Sequence, residues 1–472
     1  MTDTGVGTNF NAVTVNYYLN HYADVTVSVA RKVCYTVDLA AQEASGAALS
    51  GVTAQVKDAK GNLVDAAQDG TFSLGYGAYT YTLTKSGYVT TRGTFTLGSA
   101  DADKVADGKL TVSVTMAKCG ENGWDGKTLT EPAKDDDGVY LIGTGAELAW
   151  FAQNGGKSSA KLTADIELAA GDWTPMSKLY GTFDGQGHVI RNLYINSNSS
   201  PVGLFGYLQS GASVKNLGVT GSVTTTNTSY GQAGGIAGYM NDDSVVEKCF
   251  SAVNVTAGKH GGGIAGYTDT AAVIRDCYTT GTITTLSANE CYLGGICGSF
   301  YTQYAGAKLT NCYSTATVIG SGGSNSYVGG LSPIPNDDYF INSYYLEGTV
   351  SKARPAGISG KGVSKTAEEL KALAPTLGDA FTADSTNINN GYPVLTWQVP
   401  APQIVLGDVD GDGEVTPLDA VLAYAIANGE KEAASEQLTA ADVDGDGEIT
   451  PMDSVLIYAF CNGELTKFPV QG

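Results

Sequence analysis

The sequence predicts a mainly β protein in three parts. These are an N-terminal β-sandwich over residues 1–120, a central right-handed parallel β-helix over 121–400, and a small C-terminal α module with two acidic loops over 401–472. Three observations carry this reading. Glycine supplies 62 of the 472 residues, about twice the ordinary ~7 per cent, which disfavours long helical bundles. A glycine-cornered unit recurs at intervals of 32, 28, 32 and 35 residues. An acidic loop pattern occurs twice near the C-terminus, 34 residues apart.

Charge narrows the partners. The net charge is −21, which repels phosphate backbones, so nucleic acid is not an expected partner. Residues 401–472 hold 14 acidic and 2 basic residues. No run of eighteen apolar residues occurs, so no membrane insertion is expected. The opening Met1-Thr2-Asp3-Thr4-Gly5 has neither a basic nor an apolar leader region. Either the chain is cytosolic or a signal segment has been trimmed. The eight cysteines form no CxxC pair, which excludes a zinc ribbon or thioredoxin-type motif.

The first part reads as strands. Val25–Val29, Val52–Val56, Ala78–Leu83 and Leu110–Met116 alternate with period two, the pattern of a half-buried strand. Lys60-Gly61-Asn62, Asp69-Gly70 and Ser86-Gly87 mark turns between them. Short strands at this spacing fit a sandwich of about seven. Asp69–Leu74, Tyr79-Thr80-Tyr81 and Gly87-Tyr88-Val89 resemble the carboxypeptidase-regulatory-like modules of secreted bacterial proteins. A linker-like stretch from Thr128 to Gly138 follows. Thr144 with Glu147, and Thr366 with Glu369, then have capping-box spacing before apolar residues, so each predicts a short helix.

Between those helices lies the repeat. Gly203-Leu204-Phe205-Gly206 returns as Gly235-Ile236-Ala237-Gly238, Gly263-Ile264-Ala265-Gly266 and Gly295-Ile296-Cys297-Gly298, with a degenerate Gly330-Leu331-Ser332 after them. A unit this short cannot bury its own apolar face, and stacking successive coils as parallel strands solves that. A propeller blade needs a longer unit and ranks second. These residues resemble GLUG repeats, as do the flanks Gly181–His188 and Asn389–Leu395 with Trp397.

Stacking makes two columns. Leu217, Cys249, Cys277 and Cys312 share one inward position. Parallel stacking is poor geometry for bridges, so the three cysteines are read as free, buried thiols. Cys34, Cys119, Cys291, Cys297 and Cys461 are left open between thiol and disulfide. Lys215, Glu247 and Arg275 form an outward column of alternating sign, with Arg191 expected below Lys215 if the register extends down.

The tail carries the chemistry. Asp408, Asp410, Asp412 and Asp419 stand at positions 1, 3, 5 and 12 of the first loop; Asp442, Asp444, Asp446 and Asp453 do so in the second. Calcium takes six to eight hard oxygens, and this spacing with Gly413 or Gly447 at position 6 is the EF-hand-type loop. The main-chain carbonyls of Glu414 and Glu448 at position 7 complete the expected ligands of two Ca²⁺ ions. A helix is expected after each loop, Pro417–Ala427 and Pro451–Cys461, whereas Pro402 and Gly407 exclude an entering helix at the first. Over residues 408–430 and 442–464, 17 of 23 positions are identical.

This doubled loop and exit helix resembles a type I dockerin. The resemblance implies docking into a cohesin of a scaffoldin in a cellulosome-like complex, and hence a secreted protein, extracellular or cell-surface attached. It implies cohesin contacts at Pro417, Leu418, Tyr424 and Ala425, and at Pro451, Met452, Tyr458 and Ala459. Pro-Leu and Pro-Met replace the small hydroxyl pair usual at positions 10 and 11.

No catalytic residue is expected. His21, His188 and His260 lie far apart without HExxH, GxSxG or P-loop motifs, and the latter two are expected in exposed loops. The leading reading is a non-catalytic module, its β-helix serving binding, adhesion or spacing with a glycan or host surface as ligand. The alternative is a polysaccharide hydrolase or lyase using Asp184, Asp242, Asp243, Glu247 or Asp276 on the β-helix. A third is a piece of a longer enzyme whose catalytic module precedes Met1.

Overall fold

The structure is a computed structural model that describes residues 34–471 except 86, 119–123, 169–171, 270, 301–307, 334–338, 352–361 and 400–403. The expected strand Val25–Val29, His21, Cys119 and Pro402 lie outside the described residues. The chain divides into two compact units that part between Thr396 and Trp397.

Two sheets open the first unit. One orders Phe72–Gly75, Cys34–Gln42 and Leu110–Thr115; the other orders Leu63–Val64, Thr53–Asp58, Gly77–Thr84 and Thr91–Leu97. Alternation along each strand sends Val37, Phe72, Leu74 and Leu110 from one sheet, and Val56, Leu83 and Leu97 from the other, into a shared core. Each such side chain contributes about 1.5–3 kcal/mol on burial. Gly61 and Gly70 hold φ of 84° and 81° at the turns, a conformation open to glycine at no steric cost.

A mainly β solenoid of about five turns follows. One turn runs through four strands, as in Gln232–Gly234, Ala237–Met240, Val245–Glu247 and Phe250–Ala257. Each pairs in parallel with its counterpart one turn on: Ala237 with Ala265, Val246 with Ile274, and Phe250 with Tyr278. The glycines of the repeat sit where backbones meet. A Cβ on Gly234 would lie 2.1 Å from the Ala237 carbonyl oxygen, so no other residue fits that corner. Asn216, Lys248, Asp276, Asn311 and Asn342 turn another corner with φ between 47° and 53°.

The inward column is as expected. Leu217, Cys249, Cys277 and Cys312 are fully buried, and each of the three thiols lies 3.7 Å from a carbonyl oxygen of the preceding turn. Cys34, Cys249, Cys277, Cys291, Cys297, Cys312 and Cys461 are all free. The outward column differs below Lys215. Asp184, not Arg191, pairs with Lys215, and Lys161 lies below Asp184. Arg191 instead pairs with Glu167 and bonds Asp165 at 2.7 Å. Register shifts between Asp184 and His188 displaced the expected alignment. The resulting column Lys161, Asp184, Lys215, Glu247, Arg275 alternates in sign throughout.

Helix α1, Gly145–Asn154, has the expected capping box: Thr144 accepts from the Glu147 amide, and the Glu147 carboxylate accepts from Thr144 N. Its Leu148 and Phe151 enter the solenoid core. Near the other end come α2, Ala367–Lys371, with the Thr366–Glu369 box, and α3, Ala374–Leu377. Tyr313, fully buried, donates its hydroxyl to the Pro393 carbonyl and accepts from Asn389 Nδ2 at 2.7 Å.

Candidate functional site

The second unit builds its site from two loops and their exit helices. Helices α4, Pro417–Ala427, α5, Ser435–Ala441, and α6, Pro451–Cys461, are its α elements. Both exit helices have the bounds read from the sequence. α5, which leads into the second loop, is not among the helices expected from the sequence; its seven residues hold one large apolar side chain, Leu438, too few to show a helical period. Val409, Ala420, Ala423, Ala441, Val443, Ile457 and Phe468 form the small core between the halves.

Each loop wraps round its first aspartate. Asp408 accepts from the amides of Gly411, Asp412 and Gly413 at 2.9, 3.1 and 2.9 Å. Asp442 accepts from Gly445 and Gly447 at 2.8 and 3.1 Å. Gly411 and Gly413 have φ of 77° and 95°, and Gly445 and Gly447 have 77° and 86°, so two glycines per loop, not one, make the reversal.

Carboxylate oxygens of Asp408, Asp410 and Asp412 come within 4.8 Å of one another, as do those of Asp442, Asp444 and Asp453. Oxygens that share a calcium at about 2.4 Å can be no more than about 4.8 Å apart. The clusters therefore fit the ion in donor chemistry and in size. The Asp412 amide draws the Asp410 carboxyl down, but desolvation and the Asp419, Asp412 and Asp408 charges outweigh it and leave it raised. Burial lifts Asp444, opposed by the Asp446 amide and reinforced by the Asp453, Asp446 and Asp442 charges. Crowded like charges disfavour ionisation, and a divalent cation removes that penalty.

Position 12 has a second duty. Asp419 is fully buried; its Oδ1 accepts from Val409 and Asp410 N at 2.8 and 2.9 Å, its Oδ2 from Thr416 N at 2.8 Å. Thr416 is the N-cap of α4, so Asp419 closes a capping box, and Asp453 does the same for Thr450 and α6. The Thr-x-x-acid spacing that reveals α1 is present here too and would have shown it. Asp446 and the Glu414 and Glu448 side chains stay exposed, and the latter two offer only their carbonyls to the expected scheme.

The expected contact residues lie outside. Leu418, Tyr424, Met452 and Tyr458 are 62, 49, 57 and 53 % exposed. Pro417 and Pro451 are exposed, and Ala425 and Ala459 half-buried. Val421 and Val455, at 65 and 59 %, were missed; three-residue spacing places them on the same helix face. Each helix thus presents a triad, Leu418, Val421, Tyr424 or Met452, Val455, Tyr458.

On the solenoid the candidate acids are mostly engaged. Asp184 lies 3.4 Å from Lys215, Glu247 pairs with Arg275, and Asp276 accepts from Asn311 at 2.9 Å. Asp242 accepts from the Ala271 amide at 3.2 Å, and Asp243 turns with φ of 59°. His188 is not in an exposed loop: it lies half-buried in the strand Thr182–Ser197, 3.3 Å from Asp165. His260 is not an exposed loop residue either. It lies in strand His260–Gly262 and stacks on Tyr292 at 4.9 Å because the register aligns the two.

A family model described as the dockerin type I domain matches residues 406–459. No curated protein matches the chain. Among solved structures, one chain from the third cohesin ScaC in complex with the ScaB dockerin of Acetivibrio cellulolyticus is 38 % identical, with 15 % of this chain and 97 % of that one covered and a TM-score of 0.14. With its two acidic loops and capped exit helices, the segment 406–459 is a dockerin type I domain.

Proposed function

We propose that this protein is an exported component that docks, through two calcium-loaded loops, into a cohesin of a scaffoldin, as in cellulosome-type assemblies. The single observation that supports docking is the pair of exposed apolar triads on α4 and α6, set at equal positions after equal loops. Exposed Leu, Met and Tyr at matching sites are what a partner interface buries. The ligands proposed are Asp408, Asp410, Asp412, Asp419 and the Glu414 carbonyl, with Asp442, Asp444, Asp446, Asp453 and the Glu448 carbonyl in the second loop. Calcium supplies the positive charge that holds each loop closed and so orients its exit helix. Titration calorimetry against a cohesin panel should show binding with calcium and none after EGTA. Silence across the panel with calcium present sinks the proposal.

In the same reading the sandwich and the solenoid, over 1–120 and 121–400, form non-catalytic binding or spacing modules for a glycan or host surface. A second reading, cleavage of a polysaccharide on the solenoid, is favoured by one feature. Burial lifts the Asp269 carboxyl, a 2.8 Å hydrogen bond from Tyr239 opposes this, and the charge of Asp242 adds to it. A carboxyl whose pKa is raised by burial beside a second acid is the kind of group that serves as general acid. A polysaccharide panel assayed for retention and for new reducing ends separates the two. Reducing ends that vanish in Asp269→Asn would support the second.

A further inference from the structure

A crevice of about 180 Å³ opens between the sandwich and the first solenoid turns. Thr90 and Arg92 line it from the sandwich side, Leu168, Asn192, Tyr194 and Ser222 from the solenoid. Gly221, with φ of 136°, makes the close approach possible, since a Cβ there would meet the Leu193 carbonyl oxygen at 2.0 Å.

Arg92 is the unusual member. Its side chain is only 26 % exposed, and its guanidinium lies 3.5 Å from the centre of the Tyr194 ring. Its ion pair is loose: Asp172 stands 3.6 Å away and is 70 % exposed. A guanidinium carries five N–H donors in a planar fork. Asp172 and Tyr194 engage part of this fork, and the half-buried side chain leaves the rest of it lining the crevice. An oxyanion with two coplanar oxygens fits that fork. Ser222 and Thr90 line the same crevice with hydroxyl groups, and Asn192, whose Nδ2 donates to Glu167, adds its carbonyl oxygen, a lining suited to a ligand rich in hydroxyls.

We propose that this crevice binds the carboxylate of a polyhydroxylated acid, the class to which uronic-acid sugars belong. Arg92 grips the carboxylate, and Ser222, Thr90 and Asn192 take the neighbouring hydroxyls. The carboxylate could belong to a small free acid or to a sugar within a chain; the hydroxyl contacts favour the sugar.

The test uses the full chain with calcium, titrated by calorimetry and NMR with galacturonate, galactose and acetate. Galacturonate should bind in the range of about 1 mM and shift the Arg92 Nε–H resonance, while galactose should do neither. Arg92→Lys keeps the charge but loses the fork and should weaken galacturonate about tenfold. Ser222→Ala should weaken galacturonate about threefold and leave acetate unchanged, which keeps the test sound if Arg92 substitutions loosen the packing on Tyr194. Failure of galacturonate to bind the native chain, or undiminished binding by Arg92→Lys, overturns the site. Acetate binding as tightly as galacturonate overturns the sugar assignment.

Discussion

At the scale of single residues, burial decides chemistry. Burial pushes the Cys297 thiol up to about 12 and raises those of Cys277 and Cys312 well above the usual range. A thiol kept neutral and out of water is not a nucleophile. Thiol reagents should therefore spare Cys249, Cys277 and Cys312 in the native chain and label all three after denaturation. Rapid native labelling would contradict the solenoid register. His260 shows the same effect with opposite sign. Burial, with Lys259 adding and Glu290 opposing, brings it from 6.5 down to about 4. The folded value lies below the unfolded one, so the unfolded chain binds more protons between those values. Stability is full above pH 6.5 and falls as the pH drops towards 4, by up to about 3 kcal/mol. Urea unfolding should show this loss between pH 7 and 4.5, and His260→Phe, which keeps the stack on Tyr292, should remove most of it. An unchanged pH slope in the variant would place the effect elsewhere.

At the scale of elements, the two exit helices are near copies. Their loops were legible because calcium chemistry fixes residue types at fixed spacings, and their ends because Thr-Pro at a helix start is a strong local signal. Two near-identical triads let one cohesin patch accept either helix. Losing one of two equal orientations costs RT ln 2, about 0.4 kcal/mol, well below the 1.4 kcal/mol of a tenfold change. Leu418→Asp or Met452→Asp alone should therefore weaken cohesin binding about twofold. The double variant should abolish it, since a charge then faces the apolar patch either way. Calorimetry decides: one silent single variant and one that abolishes binding would mean a single orientation. Ala423 against Ile457, and Ile426 against Phe460, are among the six differences that would bias the choice.

At the scale of the whole molecule, the chain has two units of different origin of stability. The described residues up to Thr396 are held by the sandwich core and the extended solenoid core, whereas the unit from Trp397 has a core of a few side chains and two crowded acidic loops. Scanning calorimetry should show two transitions. Only the one assigned to the tail should move when EGTA replaces calcium, with loss of helix by circular dichroism, because ligand binding stabilises only the state that holds the site. A single transition indifferent to EGTA would refute the calcium assignment. The sequence by itself determined the repeat, the inward cysteine column, the loops and both exit helices. In each case the signal is local or recurs at a constant spacing, and stacking copies such a pattern directly into space. Tertiary structure alone decided that Asp184 rather than Arg191 continues the charge column, because shifts inside the long strand Thr182–Ser197 reset its alignment. It alone turned His260 into a stacked, half-buried ring and brought Arg92 onto Tyr194, 102 positions away in sequence. Such meetings depend on how separate elements pack, and packing leaves no periodic trace in the residues it joins.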